Sequence, residues 1–279
     1  MEYKKTERGI EIKIGKCFDL KNTFDCGQCF RWNENADGSF SGIVGEKYAK
    51  VFRDGDFVVI ENATESDYKN IWENYFDLGT CYDDIRKEIV SLDSRLECAV
   101  ESIDGMRILN QNAWEALCSF IISQNNNIPR IKGIVERLCE NFGDKIENGY
   151  TFPSAERIAK LSVDDLAPLR AGFRARYIID ASRKVSSGEV NLEKMRKADM
   201  EECRKDLMKI TGVGAKVAEC TLLYGFHRLE AFPVDVWIKK ALATFFNGIS
   251  PENLGQYAGI AQQYIFHYSR LNPELVQAK

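Results

Sequence analysis

The hydrophobic pattern of the chain changes its period once, near residue 62, and this change constrains the fold more than any other feature. Before it, apolar and polar residues alternate along GSFSGIVGEKYAKVFRDGDFVVIEN, as in half-buried β-strands. Asp-Gly pairs at 37–38 and 54–55 mark turns between short strands. From about Ser66 onward apolar residues recur at helical spacing. We therefore predict an α+β fold, with an N-terminal antiparallel sheet followed by an all-helical body.

The predicted division is a strand-rich α/β domain over 1–92 and a helical body over 93–279. The apolar share of 44% and charged share of 29% are those of an ordinary globular protein. No apolar run of about 18 residues is present, which argues against a membrane span. The start MEYKKTERGI has no secretory apolar core. We expect a cytoplasmic monomer.

The nine cysteines are scattered and odd in number, so reduced thiols are expected rather than a disulfide framework. With only two histidines, and no second CxxC to complement Cys26 and Cys29, no metal site is expected. The CGQC motif is also typical of thiol oxidoreductases, where it begins a helix. Here the chain continues from Phe30 to Trp32 as a predicted strand, which disfavours redox catalysis.

A net charge of −4 argues mildly against a nucleic-acid partner. The local charge is different over 170–184, where five basic residues stand against the single acid Asp180. Such a strip on an acidic body is compatible with DNA binding by one face. Most charge runs are only solvated helix faces, so the strip alone is a weak signal.

The most informative segment is LMKITGVGAKVAECTLLYGF, residues 207–226. It predicts one helix ending near Lys209, a tight turn through Gly212 and Gly214, and a second helix from about Ala215. Free backbone amides beside a helix N-terminus form an anion site, suited to a DNA phosphate. The Gly-Val-Gly turn alone fits an ordinary connection between helices, without a ligand, about as well as it fits a phosphate-binding turn. The full apolar spacing over 200–227 resembles the helix–hairpin–helix motif of DNA-binding proteins.

Two residues are candidates for catalysis. Lys216 lies in the first turn of the second helix, where the helix dipole disfavours a positive charge, so a lowered pKa is expected. A free amine can attack an anomeric carbon and form a Schiff base. Asp235, after Pro233, is a predicted N-cap. Its carboxylate can also stabilise positive charge on a sugar and help to manage the lysine's protons.

The combination of GVGAKVAEC with PVDV resembles the helix–hairpin–helix DNA glycosylase superfamily, and in detail the 8-oxoguanine DNA glycosylases. The resemblance covers most of the chain. It implies a bifunctional glycosylase/AP lyase that excises 8-oxoguanine from duplex DNA in base excision repair. In that family the hairpin lysine is the nucleophile and the PVDV aspartate assists, which correspond to Lys216 and Asp235. The implied partner is double-stranded DNA containing a damaged purine.

The resemblance also implies a pocket for the damaged base. In CGQCFRW, the carbonyl of Gly27 would accept the N7–H of 8-oxoguanine, whereas guanine offers an acceptor there. An unpaired buried polar group costs about 1–3 kcal/mol, so one carbonyl discriminates between the two bases. Cys220 and Phe266 would sandwich the base, and Gln262 would hold its pairing edge. Cys220 and Phe266 are equally typical of simple core packing.

The resemblance further implies contacts with the DNA around the lesion. The loop SQNNNIPRIKG would fill the vacated stack and contact the orphaned cytosine, and AGFRARY would supply an aromatic wedge and a second arginine. The corresponding residues are Asn125, Arg130, Phe173 and Arg174. Gly212 and Gly214 would bind phosphate through the hairpin.

The chain departs from the family's pattern at three positions. Phe173 replaces a usual tyrosine, Trp237 stands where a histidine near the phosphate is expected, and Ser269 replaces an acid. These departures concern contacts with DNA and recognition of the opposite base, and not the catalytic reaction.

Two alternatives remain open: a non-catalytic hairpin protein that only binds DNA, and a glycosylase for another damaged purine. The branch resembling endonuclease III needs four cysteines near its C-terminal helix for an iron–sulfur cluster, but no cysteine follows Cys220. The alkylpurine branch keeps the aspartate and lacks the lysine, so Lys216 discriminates. No cofactor is expected, apart from a possible structural monovalent cation at the hairpin carbonyls.

Overall fold

The computed structural model describes residues 1–276 and begins with a six-stranded antiparallel sheet. Its strands are β1 (Tyr3–Thr6), β2 (Gly9–Lys13), β3 (Trp32–Glu34), β4 (Phe40–Val44), β5 (Lys47–Asp54) and β6 (Phe57–Glu61). Their order across the sheet is β1-β2-β6-β5-β4-β3. The predicted α+β architecture, with the sheet first and helices after it, is confirmed.

The register of the sheet follows from the alternation seen in the sequence. Ile60 of β6 pairs with Ile10 of β2 on one side and with Val51 of β5 on the other. Val51 in turn pairs with Phe40 of β4. All four side chains are buried, so one apolar row crosses four strands on the same face. The predicted turn at 54–55 joins β5 to β6, and Gly55 adopts the positive φ of +57° that it needs there.

The helices are mostly short; the first lies between β2 and β3, and the others follow the sheet. They are α1 (Leu20–Phe24), α2 (Glu65–Asp67), α3 (Glu73–Tyr75), α4 (Tyr82–Leu92), α5 (Glu97–Ser102), α6 (Ala113–Ser123), α7 (Ile128–Phe142), α8 (Ala155–Ala159), α9 (Arg174–Ser186), α10 (Leu192–Met195), α11 (Met200–Leu207), α12 (Ala215–Gly225), α13 (Val236–Ala243), α14 (Pro251–Leu254) and α15 (Ala258–Leu271). A π-helical segment, Tyr68–Trp72, joins α2 to α3. Over residues 1–276 the longest apolar helix falls short of what a membrane crossing requires.

Sequence periodicity placed some helices better than others. The apolar spacing of the sequence predicts a helix over 128–142, and α7 has those bounds; Asn127 caps its first turn by accepting from Arg130 N at 3.0 Å. The sequence also predicts a helix over 234–246, but α13 is shorter, because the backbone leaves helical geometry at Thr244. A small hairpin, β7 (Lys145–Ile146) and β8 (Gly149–Tyr150), interrupts the helical body.

Two hydrophobic clusters form the interior. One lies under the sheet and is rich in aromatic rings, including Phe24 stacked on Trp32 with ring centroids 4.2 Å apart. The other fills the helical body, yet it also contains Phe30 from the N-terminal part, while Leu109 belongs to the sheet cluster. Apolar contacts therefore cross the predicted boundary in both directions, and the division at residue 92 stays a prediction.

Helices α6 and α12 form the centre of the helical body. In α6 every residue except Glu115 and Ser123 is buried, and in α12 every residue from Val217 to Gly225 is buried. Helices that are apolar on all sides belong in the interior. A Cβ added at Gly225 would lie 2.9 Å from Ala113 Cα, so the glycine permits close approach of the two backbones. Both helices are thus rigid supports for what lies at their ends.

A buried arginine joins the sheet cluster to the helical body. Arg107 is fully buried and donates to the carbonyls of Phe76 at 2.9 Å, Cys17 at 3.0 Å and Thr80 at 2.9 Å, and also to that of Asp77. Burial lowers the pKa of its guanidinium. No carboxylate lies within 4.0 Å of it in the described part of the chain, so its charge is stabilised by these backbone carbonyls and by the Tyr82 ring, whose centroid lies 4.3 Å from Cζ.

We predict that Arg107→Met lowers the free energy of unfolding by roughly 3 kcal/mol, because several buried carbonyls lose their donor. Urea denaturation measures the change. Lys87→Met is the matched control, since the Lys87 side chain is 80% exposed, and it should change stability by less than about 0.5 kcal/mol. Equal midpoints for the two variants would contradict this account of Arg107.

Candidate active site

One cavity of about 310 Å³ collects residues from four distant parts of the chain. Its wall includes the loop after α1, the end of α6 with the loop into α7, the starts of α12 and α13, and the last long helix, α15. The lining residues are Gly27, Phe30, Phe120, Ser123, Asn126, Asn127, Ile128, Pro129, Ile131, Lys216, Asp235, Trp237, Phe266 and Arg270. The two predicted catalytic residues therefore face the same space.

Lys216 lies in the first turn of α12 and is half-buried. Its Nζ donates to Ser123 Oγ at 3.0 Å and lies 5.1 Å from the centroid of the Phe120 ring. Ser123 in turn donates to the Phe120 carbonyl at 2.8 Å. These contacts with the end of α6 hold the amine in the cavity rather than in open solvent.

Asp235 is the N-cap of α13, as predicted. Its Oδ1 accepts from Ile238 N at 2.8 Å, while its other oxygen has no hydrogen-bond donor among residues 1–276. The capping bond fixes the carboxylate, and the start of the helix places it in the cavity wall. A charge held in this way can act on the cavity without reorganising first.

Gly27 lies in the loop between α1 and β3 and adopts a φ of +82°. A Cβ at this position would lie 3.2 Å from Phe266 Cε1 and 3.5 Å from Ile128 Cδ1. A side chain would therefore fill the slot between the loop and Phe266, besides straining the backbone. The glycine keeps this part of the cavity open.

The other predicted pocket residues are near the cavity but differ in exposure. Phe266 lines it, and the guanidinium of Arg270 lies 5.7 Å from the Phe266 ring centroid. Cys220 is buried one turn after Lys216, and burial raises the pKa of its thiol to about 11. Gln262 is buried one turn before Phe266, and its Oε1 has no partner among the described residues. Neither Cys220 nor Gln262 forms part of the cavity lining.

The hairpin turn at residues 211–214 is exposed except for Val213, which is buried in the core. Gly212 has a φ of +80°, and a Cβ there would lie 2.4 Å from the Tyr177 ring. Gly214 is the N-cap of α12 and provides no side chain to satisfy the first amides of that helix. The turn thus presents free N–H groups suited to an anion such as phosphate.

The residues predicted to contact the rest of the DNA lie along one edge. Asn125 is exposed with a φ of +46°, Arg130 is exposed, and Phe173 is 46% exposed. Arg174 is buried instead, and its guanidinium donates to the carbonyls of Gln124 and of Asn125 at 2.8 Å. It supports the Asn125 loop in this conformation, so its base-contacting role stays a prediction. Trp237 is 38% exposed and lines the cavity.

Sequence reasoning missed several lining residues. Ser123 and Phe120 contact the lysine, but they belong to an α6 pattern that only indicates core packing. Arg270 follows Phe266 by one helical turn, and that spacing was an available signal. The described residues contain no group of three or more His, Cys, Asp or Glu side chains arranged to hold a metal ion.

Comparisons with known proteins agree with this geometry. Residues 10–117 match the family model for the 8-oxoguanine DNA glycosylase N-terminal domain. Residues 118–253 match that of the HhH-GPD superfamily of base excision DNA repair proteins. The N-glycosylase/DNA lyase of Saccharomyces cerevisiae is 34% identical over 250 residues, which are 79% of this chain and 66% of the yeast protein.

Two solved structures superpose over nearly the whole chain. MBOgg1 in complex with a low-affinity DNA ligand is 41% identical with a TM-score of 0.91, covering 98% of this chain and 100% of that one. The Clostridium acetobutylicum 8-oxoguanine glycosylase/lyase, bound to double-stranded DNA containing cytosine opposite 8-oxoG, is 38% identical with a TM-score of 0.92, covering 98% and 99%. By sequence and by structure along almost its full length, the chain belongs to the 8-oxoguanine DNA glycosylase family.

Proposed function

We propose that this chain removes 8-oxoguanine from duplex DNA and then cleaves the strand at the resulting site, with Lys216 as nucleophile. The observation that carries the proposal is the convergence of Lys216, Asp235, Gly27 and Phe266 on one cavity. A damaged nucleotide must leave the base stack to reach such a site. The exposed hairpin turn and the exposed Phe173 lie on the outside of the protein, where DNA can contact them.

The proposed reaction begins with attack of the Lys216 amine on C1′ of the flipped nucleotide. The bond from C1′ to the base breaks, and the electron pair leaves with the base, which takes up a proton. Asp235 stabilises the positive charge that develops on the sugar and helps to remove the lysine's proton. The Cys220 thiol cannot take that proton as a thiolate at neutral pH, because burial keeps its pKa near 11.

Strand cleavage follows from the same covalent bond. Opening of the sugar ring converts the adduct to a Schiff base between Lys216 and C1′. Loss of a proton from C2′ then expels the 3′ phosphate by β-elimination. Both steps require only the lysine and groups able to move protons, so we propose that no cofactor and no iron–sulfur cluster takes part. The hairpin carbonyls are hard oxygen donors that would suit a monovalent cation, but the reaction does not need one.

The base would be recognised by Gly27, Phe266, Cys220 and Gln262. The Gly27 carbonyl accepts the N7–H that only the oxidised base offers, and Phe266 supplies a stacking surface. The unpaired Gln262 Oε1 is suited to bind a donor on the pairing edge of the base.

The nine free thiols are consistent with the proposed cytoplasmic location.

We predict that Lys216→Gln abolishes base release and the covalent complex that borohydride traps, because the nucleophile is lost. Binding of lesion-containing duplex should remain within about threefold, since the hairpin amides are unchanged. The matched control is Lys240→Gln, an exposed lysine in the last turn of α13. Normal base release by the Lys216 variant would show that water attacks instead and would reject the proposed mechanism.

Asp235→Asn removes the negative charge of the side chain but keeps its capping role, because asparagine is an equally good N-cap. We predict a fall in the single-turnover rate of base release of about 10²- to 10³-fold. Thermal unfolding should shift little. Asp199→Asn is the control, since Asp199 caps α11 by accepting from Glu202 N at 2.9 Å. If both variants excise at the wild-type rate, the carboxylate has no catalytic role.

Gly27→Ala should reduce excision of 8-oxoguanine about tenfold or more. The added Cβ would contact Phe266, and alanine is strained at the positive φ of this position, so the backbone and its carbonyl should shift. Gly38→Ala imposes the same backbone strain at a φ of +78°, with no atom within 4 Å of the new Cβ. The two variants are compared by single-turnover excision. An unchanged preference for 8-oxoguanine over guanine in Gly27→Ala would count against the assigned role.

A further inference from the structure

We infer that Gln263 and Gln111 are positioning residues, which hold the peptide units on either side of Gly27 so that its carbonyl alone is left free for the base. The inference rests on the proposed function, in which Gly27 recognises 8-oxoguanine. Neither glutamine lines the cavity. Both therefore act through the loop and not through contact with DNA.

The hydrogen bonds of three successive carbonyls in this loop carry the inference. The carbonyl of Cys26 accepts from Gln263 Nε2 at 2.8 Å. That of Gln28 accepts from Gln111 Nε2 at 2.7 Å. Between them, the Gly27 carbonyl has no hydrogen-bond donor among residues 1–276. Buried carbonyls are almost always paired, so one unpaired carbonyl at a cavity wall is suited to an external donor.

The amide of Gln263 can face only one way. Gln263 is fully buried on α15, and its Oε1 accepts from the hydroxyl of Tyr224. The Cys26 carbonyl can only accept, so it requires the amide nitrogen, and the amide oxygen is then left to accept from the phenol hydroxyl. Tyr224 belongs to α12, the helix that begins with Lys216.

Gln111 reaches the same tyrosine by another route. Its backbone N donates to the Tyr224 carbonyl at 3.0 Å, while its side chain holds Gln28. Gln28 is itself fully buried and donates to the carbonyls of Thr23 at 2.8 Å and Arg107 at 2.7 Å. Two chains of hydrogen bonds thus run from Tyr224 to the two flanks of Gly27.

This arrangement sets the position of the recognising carbonyl relative to the nucleophile. Because both supports converge on α12, the carbonyl and the amine are positioned by one rigid helix. A recognition geometry must be held to within about 0.5 Å to discriminate between similar groups. Loss of a support should therefore weaken recognition of the base while leaving the lysine in place.

The test compares two substrates that differ in whether a base is present. Gln263→Leu should slow single-turnover excision of 8-oxoguanine about 10- to 100-fold. Cleavage of a duplex carrying an abasic site needs Lys216 but no contact with Gly27, so its rate should change less than about twofold. Tyr264→Phe is the matched control on the same helix, since its buried hydroxyl has no partner among the described residues.

A second variant keeps the test decisive if the leucine variant does not fold. In Gln263→Glu the ionised carboxylate cannot donate to the Cys26 carbonyl, whereas the protonated acid can. Burial raises the pKa of such a carboxyl. The excision rate relative to wild type should therefore rise as pH is lowered from about 9 to about 6, while the relative rate on the abasic site stays flat.

The possible results distinguish failure of the positioning role from failure of the proposed function. Wild-type excision by Gln263→Leu, equal loss on both substrates, or a flat pH response of Gln263→Glu would each overturn the positioning role. Failure of the wild-type protein to excise 8-oxoguanine would overturn the proposed function and the inference together. Selective loss of base excision, with recovery of the glutamate variant at low pH, supports both.

Discussion

The contact between α6 and α12 is the constraint on which the rest of the structure depends. Both helices are apolar on nearly every side, and Gly225 lets their backbones approach closely. Their ends therefore have fixed positions, and these ends carry Ser123 and Lys216. A long lysine side chain loses rotamer freedom when it is held, and the hydroxyl and ring at the end of α6 offset part of that cost. The packing of the core thus determines where the Lys216 amine lies.

Polar groups that serve local structure also serve the site. The carboxylate of Asp235 completes the first turn of α13 and at the same time faces the cavity. Gly214 begins α12 without a capping side chain, so the same amides remain available to an anion. Arg174, buried beneath the Asn125 loop, holds that loop in position. Structural contacts and proposed functional roles coincide at these residues because helix ends are where backbone polar groups remain free.

The sequence predicted a sheet followed by helices, as observed, and four of the residues that it proposed for the site, Lys216, Asp235, Gly27 and Phe266, line one cavity. Their roles stay predictions. Alternation and Asp-Gly pairs indicated the sheet, and the glycines around Val213 indicated the hairpin, because both patterns are local. The lining residues Ser123, Phe120 and Arg270 were missed, because their roles come from contacts across 93 residues or from a helix that only looks like core. The burial of Arg174 was also not predictable, since an arginine in a basic strip resembles a surface charge. Residues that are distant in the sequence but close in the structure produce no periodic pattern in a single sequence.

The anchoring of the Gly27 loop on Tyr224 has a consequence for how such a protein can change over time. The loop follows α1, and the two carbonyls that flank Gly27 are held by Gln263 of α15 and by Gln111, which directly precedes the N-cap of α6. If the Gly27 carbonyl has the proposed role, base selection should tolerate substitutions on the distant strands β1 and β5 better than substitutions at these two glutamines. The residues of the sheet cluster next to the loop, such as Cys29 and Trp32, should be as restricted as the glutamines, because they pack directly against it.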